Sequence, residues 1–187
     1  MILGLDVSTS CIGWCVIEHN ATFNQMGYIE LSKVPGIFKK ANVALSELRE
    51  IHKKFQVSSV YIEENLQAFR PGFSSAKTLI TLSRFNGIIS YLCEKIFETE
   101  PEFINVNAAR KAVGLSIVRK SKGGTPTKHQ VLDWVTMQLK GSGYSWPVKI
   151  LKSGPRKGTS VFQNGCYDMA DAFVIARAGI AMNEQLD

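Results

Sequence analysis

MILGLDVSTSCIGWCVIEHNATFNQMGYIEL, residues 1–31, holds three apolar runs, Met1 to Val7, Cys11 to Glu18 and Thr22 to Leu31, rich in Ile, Val, Leu, Trp and Tyr. They are joined only by Ser8-Thr9-Ser10 and by a short link at His19-Asn20. Links this short join antiparallel neighbours, so the chain opens as a three-stranded meander. Asp6 is the only charge in its strand and sits where the strand meets its turn. A lone carboxylate there is costly unless it serves a site or closes an Asx turn into Ser8.

Beyond Pro35-Gly36 the period changes. Phe38, Ala41, Leu45, Leu48, Ile51 and Phe55 recur at helical spacing, and Val57 to Glu63 then predicts a buried strand. A long helix is expected from Ser74 to Phe97, with a stripe of Leu79, Leu82, Phe85, Ile89, Leu92 and Ile96, followed by a short strand from Phe103 to Val106. Asn107 and Thr127 are placed to cap two further helices, which Gly114 and Gly141 would end. These elements predict an α/β fold: a five-stranded mixed sheet, three N-terminal strands antiparallel and two parallel, with helices on both faces. At 187 residues the chain is expected to form one domain spanning 1–187.

The final helix carries DMADA, Asp168 to Ala172, inside an apolar, alanine-rich segment. Carboxylates three apart on a helix share a face, and in these surroundings that face points inward. Two anions directed at a core repel and desolvate at several kcal/mol each unless a cation neutralises them. Asp6 and one of Glu63 and Glu64, at the ends of their strands, can join them; strand alternation allows only one of the two glutamates, and Glu63, directly after the apolar triplet, is the choice. Asp6, Glu63, Asp168 and Asp171 then meet at the carboxyl ends of neighbouring strands, a usual site position in open α/β sheets. Oxygen donors without histidine or cysteine select Mg²⁺ or Mn²⁺. Two such ions, about 3.5–4 Å apart, activate a water and stabilise the leaving oxygen of a phosphodiester.

Net charge and loops agree with an anionic partner. The chain carries +6 at neutral pH, with a pI near 9.2. Two segments concentrate cations among glycines: a flexible loop at about 116–127 with Arg119, Lys120 and Lys122, and an irregular flap at 141–165 with Lys149, Lys152, Arg156 and Lys157. Lacking a rigid frame, such cations would hold phosphates rather than read base edges. Phe69, Arg70 and Phe73, just past Glu63, could stack on and grip opened bases. Tyr144 and Trp146 in the flap could contact bases, whereas Trp14 and Trp134 are expected in the core and His129 on a helix surface.

Cys11, Cys15, Cys93 and Cys166 form no C-x-x-C pair and suggest buried free thiols in a reducing compartment. No signal-type segment or membrane-length apolar run is present, so a cytoplasmic, nucleoid-associated location with no membrane partner is expected.

Taken in order, LGLDVSTSCIGWCVIE, VYIEEN and YDMADAFVIARAG resemble the three acidic motifs of the RuvC family of Holliday junction resolvases. FSSAKTLITLSRFNGIIS is similar to that family's long helix, and RKAVGL followed by TKHQVLDWV to its K-x-x-V-G and K-x-Q-V segment. The resemblance implies a ribonuclease H-like fold, a two-metal endodeoxyribonuclease acting on Holliday junctions and other branched DNA, and Lys111 and Lys128 as cations beside the scissile phosphate. It also implies a homodimer, for which Ile80, Phe85, Ile88 and Ile89 of the long helix supply apolar surface. The two long basic segments, and Leu66 where an aromatic is expected, resemble a phage-encoded or divergent member, which would act in the host cytoplasm. The competing classes are a flap or fork nuclease of the same fold, an actin-like ATP phosphotransferase, which shares the opening G-x-D strand, and a DNA-binding module without chemistry.

Overall fold

The structure, a computed structural model, describes residues 1–64 and 76–183. Strands β1 (Ile2–Val7), β2 (Cys11–Ile17) and β3 (Phe23–Glu30) form the expected antiparallel meander, and β4 (Ser59–Glu63) and β5 (Glu102–Ile104) add in parallel on the other side of β1. The sheet order is β3-β2-β1-β4-β5, which leaves β1 central. Helices α1 (Ile37–Lys54) and α2 (Ala76–Phe97) cover one face, packing on Leu3, Leu5, Ile12, Val16, Val60 and Ile62. Helices α3 (Val106–Ala112), α4 (Thr127–Gln138) and α5 (Gly165–Asn183) cover the other, on Ile2, Cys15, Ile17 and Tyr61. This is the predicted α/β sandwich, and the alternation of the two core clusters along each strand is the period-2 pattern that made it legible.

Helix α5 lies so close to the sheet that only glycine fits beneath it. A Cβ on Gly4 would come within 2.4 Å of the Ala172 carbonyl oxygen. The four cysteines are free and buried, as expected. No helix among the described residues is long and apolar enough to cross a membrane.

Several local expectations give way to tertiary structure. Asn105, not Asn107, caps α3, its Oδ1 accepting from the amides of Asn107 (3.0 Å) and Ala108 (3.4 Å), because the helix starts at Val106 rather than ending a strand there. Thr127 is the first residue of α4 and caps nothing; Pro126 precedes it with no side-chain cap. Phe38, counted in the α1 stripe, is 74% exposed; Ile37 packs against the core in its stead, and Ala44 joins Ala41, Leu48 and Ile51 among the buried residues of α1. Of the apolar residues assigned to a dimer face on α2, Phe85 and Ile89 are fully buried against the sheet and α1, Ile88 is half-buried, and Ile80 remains exposed.

The 141–165 segment is not irregular throughout. Val148–Ile150 and Ser160–Phe162 pair as an antiparallel hairpin, β6 and β7. Aromatic packing holds its base to the body: Trp146 Nε1 donates to Thr136 Oγ1 (2.9 Å), and Trp146 stands edge-on to Tyr144 and to Phe162. Tyr144 in turn meets Phe23 edge to face. The half-buried rings of Tyr144 and Trp146 are therefore engaged in packing. The 116–127 loop is likewise pinned: Gln130 accepts from the Val118 amide at 2.9 Å and donates to the carbonyls of Val118 (2.9 Å) and Thr125 (2.6 Å) around a single 3-10 turn at Lys120–Lys122.

Candidate active site

Parallel pairing of β1 with β4 sets Leu5 beside Ile62, so the next residues, Asp6 and Glu63, lie side by side at the carboxyl ends of adjacent strands, Asp6 one residue before the end of β1 and Glu63 the last of β4. Glu63 shares its strand face with Tyr61, which packs in the α5-side core. Strand alternation thus directs Glu63 to α5, while the amide of Glu64 extends the β4–β5 pairing by donating to the Ile104 carbonyl (2.9 Å). Across β2, Asp6 pairs with Gly13, and Gly13 lies under the first turn of α5, where Asp168 stands. Asp171 follows one turn later. Four carboxylates from three elements are brought into electrostatic contact.

This proximity shifts their proton affinities. Burial holds the Asp6 carboxyl well above the ordinary carboxylate range, and the negative charges of Glu63, Asp171 and Asp168 push it the same way against the pull of Arg110. Burial and the charge on Asp171 raise Glu63 to about 7. Asp168 and Asp171 are raised mainly by burial, moderated in Asp168 by a hydrogen bond from the Cys11 thiol and its position in the first turn of α5, and in Asp171 by Arg110. Arg110 Nη2 lies 3.3 Å from Asp171 Oδ1, with both side chains under a fifth exposed. Its Nε is buried without a partner.

Among the sequence-selected cations, Lys128 stands 4.5 Å over the Tyr167 ring, and its charge stabilises ionised Asp168. Lys111 is exposed on α3; the basic side chain that reaches the acids is its neighbour Arg110, which sequence reasoning passed over. The signal was present, since in a K-x-x-V-G pattern ending at Gly114 the basic position is Arg110. Arg119, Lys120 and Lys122 are exposed on the pinned loop, and Lys149, Lys152, Arg156 and Lys157 are exposed on the hairpin. Phe69, Arg70 and Phe73 lie outside the described residues. His129 is half-buried, edge-on to Tyr167 at 5.2 Å, rather than free on a surface.

Four converging acids face one arginine, so the cluster carries excess negative charge that a divalent cation would neutralise. Among the described residues no three acids, histidines or cysteines are drawn together into a preformed metal cage. Magnesium does not require one, because it keeps several waters and takes one or two carboxylates together with substrate phosphate. An all-oxygen donor set on two strand ends and a rigid helix fits that mode.

The mixed sheet in the order β3-β2-β1-β4-β5, with helices on both faces, is a fold that solved Holliday junction resolvases share. No protein-family model matches the sequence, and no curated protein matches it. The chain is similar in structure to Thermus thermophilus RuvC in complex with a Holliday junction substrate, with TM-score 0.62 and 14% identity over 98% of this chain and 94% of that one. It is also similar to Thermus thermophilus RuvC alone (TM-score 0.61, 15% identity, 98% and 95% covered). The yeast mitochondrial Holliday junction resolvase Ydc2 matches with TM-score 0.56 and 15% identity over 99% of this chain and 79% of that one.

Proposed function

We propose that this protein is a metal-dependent endodeoxyribonuclease that resolves branched DNA, the four-way Holliday junction foremost, by phosphodiester hydrolysis. The observation that carries the reading is the convergence of Asp6, Glu63, Asp168 and Asp171, their carboxyls all raised chiefly by burial, with repulsion from the other acids added in Asp6, Glu63 and Asp171, and with Arg110 as the one cation paired to them among the described residues. The fold shared with two Holliday junction resolvases supports the choice of substrate.

Asp6 and Glu63 at the strand ends and Asp168 and Asp171 on α5 would hold two Mg²⁺ or Mn²⁺ ions. Bound there, the ions supply an activated water and neutralise charge on the leaving oxygen. The protein's own contribution is placement. The sheet fixes Asp6 and Glu63 side by side, the glycine-lined approach fixes α5 over them, and Arg110 and Lys128 flank the acids where phosphate oxygens would enter.

Two nicks of like polarity across a four-way junction need two sites related by a two-fold axis, so the reading includes a C2 dimer. On α2, the exposed apolar side chains Ile80 (52% exposed) and Tyr91 (60%) fall on one helical stripe with Gly87 between them, and a partner copy of α2 would cover them. The test of the reading is incubation of labelled linear, flap, fork and four-way DNAs with Mg²⁺ or Mn²⁺, mapping each nick. Paired symmetric nicks in the junction support it; cleavage confined to flaps or forks, or none, contradicts it.

A further inference from the structure

Beside the acid cluster, the starts of α4 and α5 and the inner side of the β6–β7 hairpin enclose a groove of about 880 Å³. Its charge is one-sided. Lys128, Lys149 and Arg156 line it together with His129, and none of its lining residues is acidic. Two rings join them: Tyr167, the residue before Asp168, and Phe162, 42% exposed on β7. Cations spaced along a channel with aromatic faces between them are the composition that holds an unpaired nucleic-acid strand, phosphates on the cations and bases or sugars on the rings.

The groove neighbours the site: its lining residue Tyr167 precedes Asp168 in the chain, and Lys128, which stands over the Tyr167 ring, also acts electrostatically on Asp168. The hairpin that closes it is anchored rather than loose. Tyr28 Oη donates to the Gln163 side-chain carbonyl, the Gln163 amide donates to Pro147 O (3.0 Å), and Cys166 Sγ donates to the same carbonyl (3.3 Å). Lys149 is aligned at its base, Nζ 3.4 Å from Asn164 Oδ1. The cations of the 141–165 segment are thereby divided: Lys149 and Arg156 line the groove, whereas Lys152 and Lys157 do not.

We propose that this groove takes a single DNA strand running from the cleavage site, with Lys149 and Arg156 of the hairpin holding its phosphates. The inference rests on the nuclease reading for its direction but not for its test, which measures binding alone. In EDTA, fluorescence anisotropy with a labelled single strand of about 16 nucleotides reads the affinity of the intact protein. Lys149→Glu with Arg156→Glu is compared with Lys39→Glu and Lys53→Glu, an equal change of charge on exposed positions of α1, across the sheet from the groove.

The groove pair is expected to weaken binding by about tenfold or more and to flatten the salt dependence by about 1.4 in log–log slope, ~0.7 for each phosphate no longer neutralised. The α1 pair should change affinity by less than about threefold, since screening at ~0.1 M salt limits the reach of distant charge to ~10 Å. Lys149→Gln with Arg156→Gln, and thermal midpoints equal to wild type, guard against a folding defect. Equal weakening by both pairs, unchanged binding by the groove pair, or a larger loss for duplex than for single strand each overturns the proposal. If wild type nicks junctions while the groove pair binds normally, the groove assignment alone falls. If the groove pair loses binding but wild type cuts no DNA with Mg²⁺, the nuclease reading falls and the groove stands.

Discussion

Gly13 lies beneath the main chain of Asp168: a Cβ on Gly13 would come within 2.0 Å of the Asp168 carbonyl oxygen. Gly13 is also the cross-strand partner of Asp6. The approach that seats α5 on the sheet is thus the approach that brings its acids to Asp6, and packing and chemistry share one glycine.

Gly13→Ala cannot be absorbed by a side-chain shift, because the obstruction is backbone. It should cost about 1–3 kcal/mol of stability, the usual range for overpacking, and should also displace Asp168 from Asp6. Thermal melting together with cleavage rates below the melting range checks both effects; a variant with wild-type melting and wild-type cleavage would remove the geometric link.

The raised carboxyls make metal-free stability depend on pH in a defined direction. Glu63 keeps its proton to about pH 7 in the folded protein but releases it near 4.5 in the ordinary state. Between those values the native state binds more protons, so stability falls as pH rises from 4.5 to 7 and the deficit persists above. Glu63→Gln should therefore raise the melting temperature at pH 8 by a few degrees, on the order of 1–3 kcal/mol, and change it little at pH 4.5. An equal difference at both pH values would show that Glu63 is not held in this environment.

Arg110 should behave in the opposite sense. Removing it takes away the guanidinium that faces the acids, so Arg110→Ala should lower metal-free stability at pH 8 by about 3–5 kcal/mol and by less at pH 4.5, where Glu63 holds its proton and the cluster carries less negative charge. Arg110→Lys should retain part of the stability. Melting curves at the two pH values decide this, and a pH-independent loss would mean that Arg110 contributes by packing alone.

The sequence disclosed the meander, the crossover strand and all four acids because each is written in local terms: period-2 alternation, a lone charge in an apolar strand, and a D-x-x-D pair on an apolar helix. What it hid depends on which of two neighbours faces inward, or on residues distant in the chain. Arg110 and Lys111 differ by one step on a seven-residue helix, and only packing against α5 separates them. The β6–β7 hairpin has strands of three residues, VKI and SVF, too short for a periodic signal, and it is held by Thr136, Tyr28 and Trp146 rather than by its own pattern. Phe85 and Ile89 advertised an interface that α1 and the sheet had already taken.

The dimer face predicts its own test. Ile80→Asp with Tyr91→Ser should convert a dimer at micromolar concentration into a monomer by light scattering, with the fold retained because both side chains are exposed. A wild-type protein that is monomeric both alone and on a four-way junction would contradict the paired-nick reading.

The central claim, that the acid cluster cuts DNA rather than merely folding, is tested most directly by Asp6→Asn in two parallel measurements: single-turnover cleavage of a four-way junction with Mg²⁺, and binding of the same junction with Ca²⁺. Loss of an outer partner of a metal ligand typically costs ~10–100-fold, so loss of Asp6 itself should slow cleavage by at least ~100-fold while affinity stays within about threefold of wild type. Cleavage at the wild-type rate, or loss of cleavage fully accounted for by loss of binding, would contradict the account.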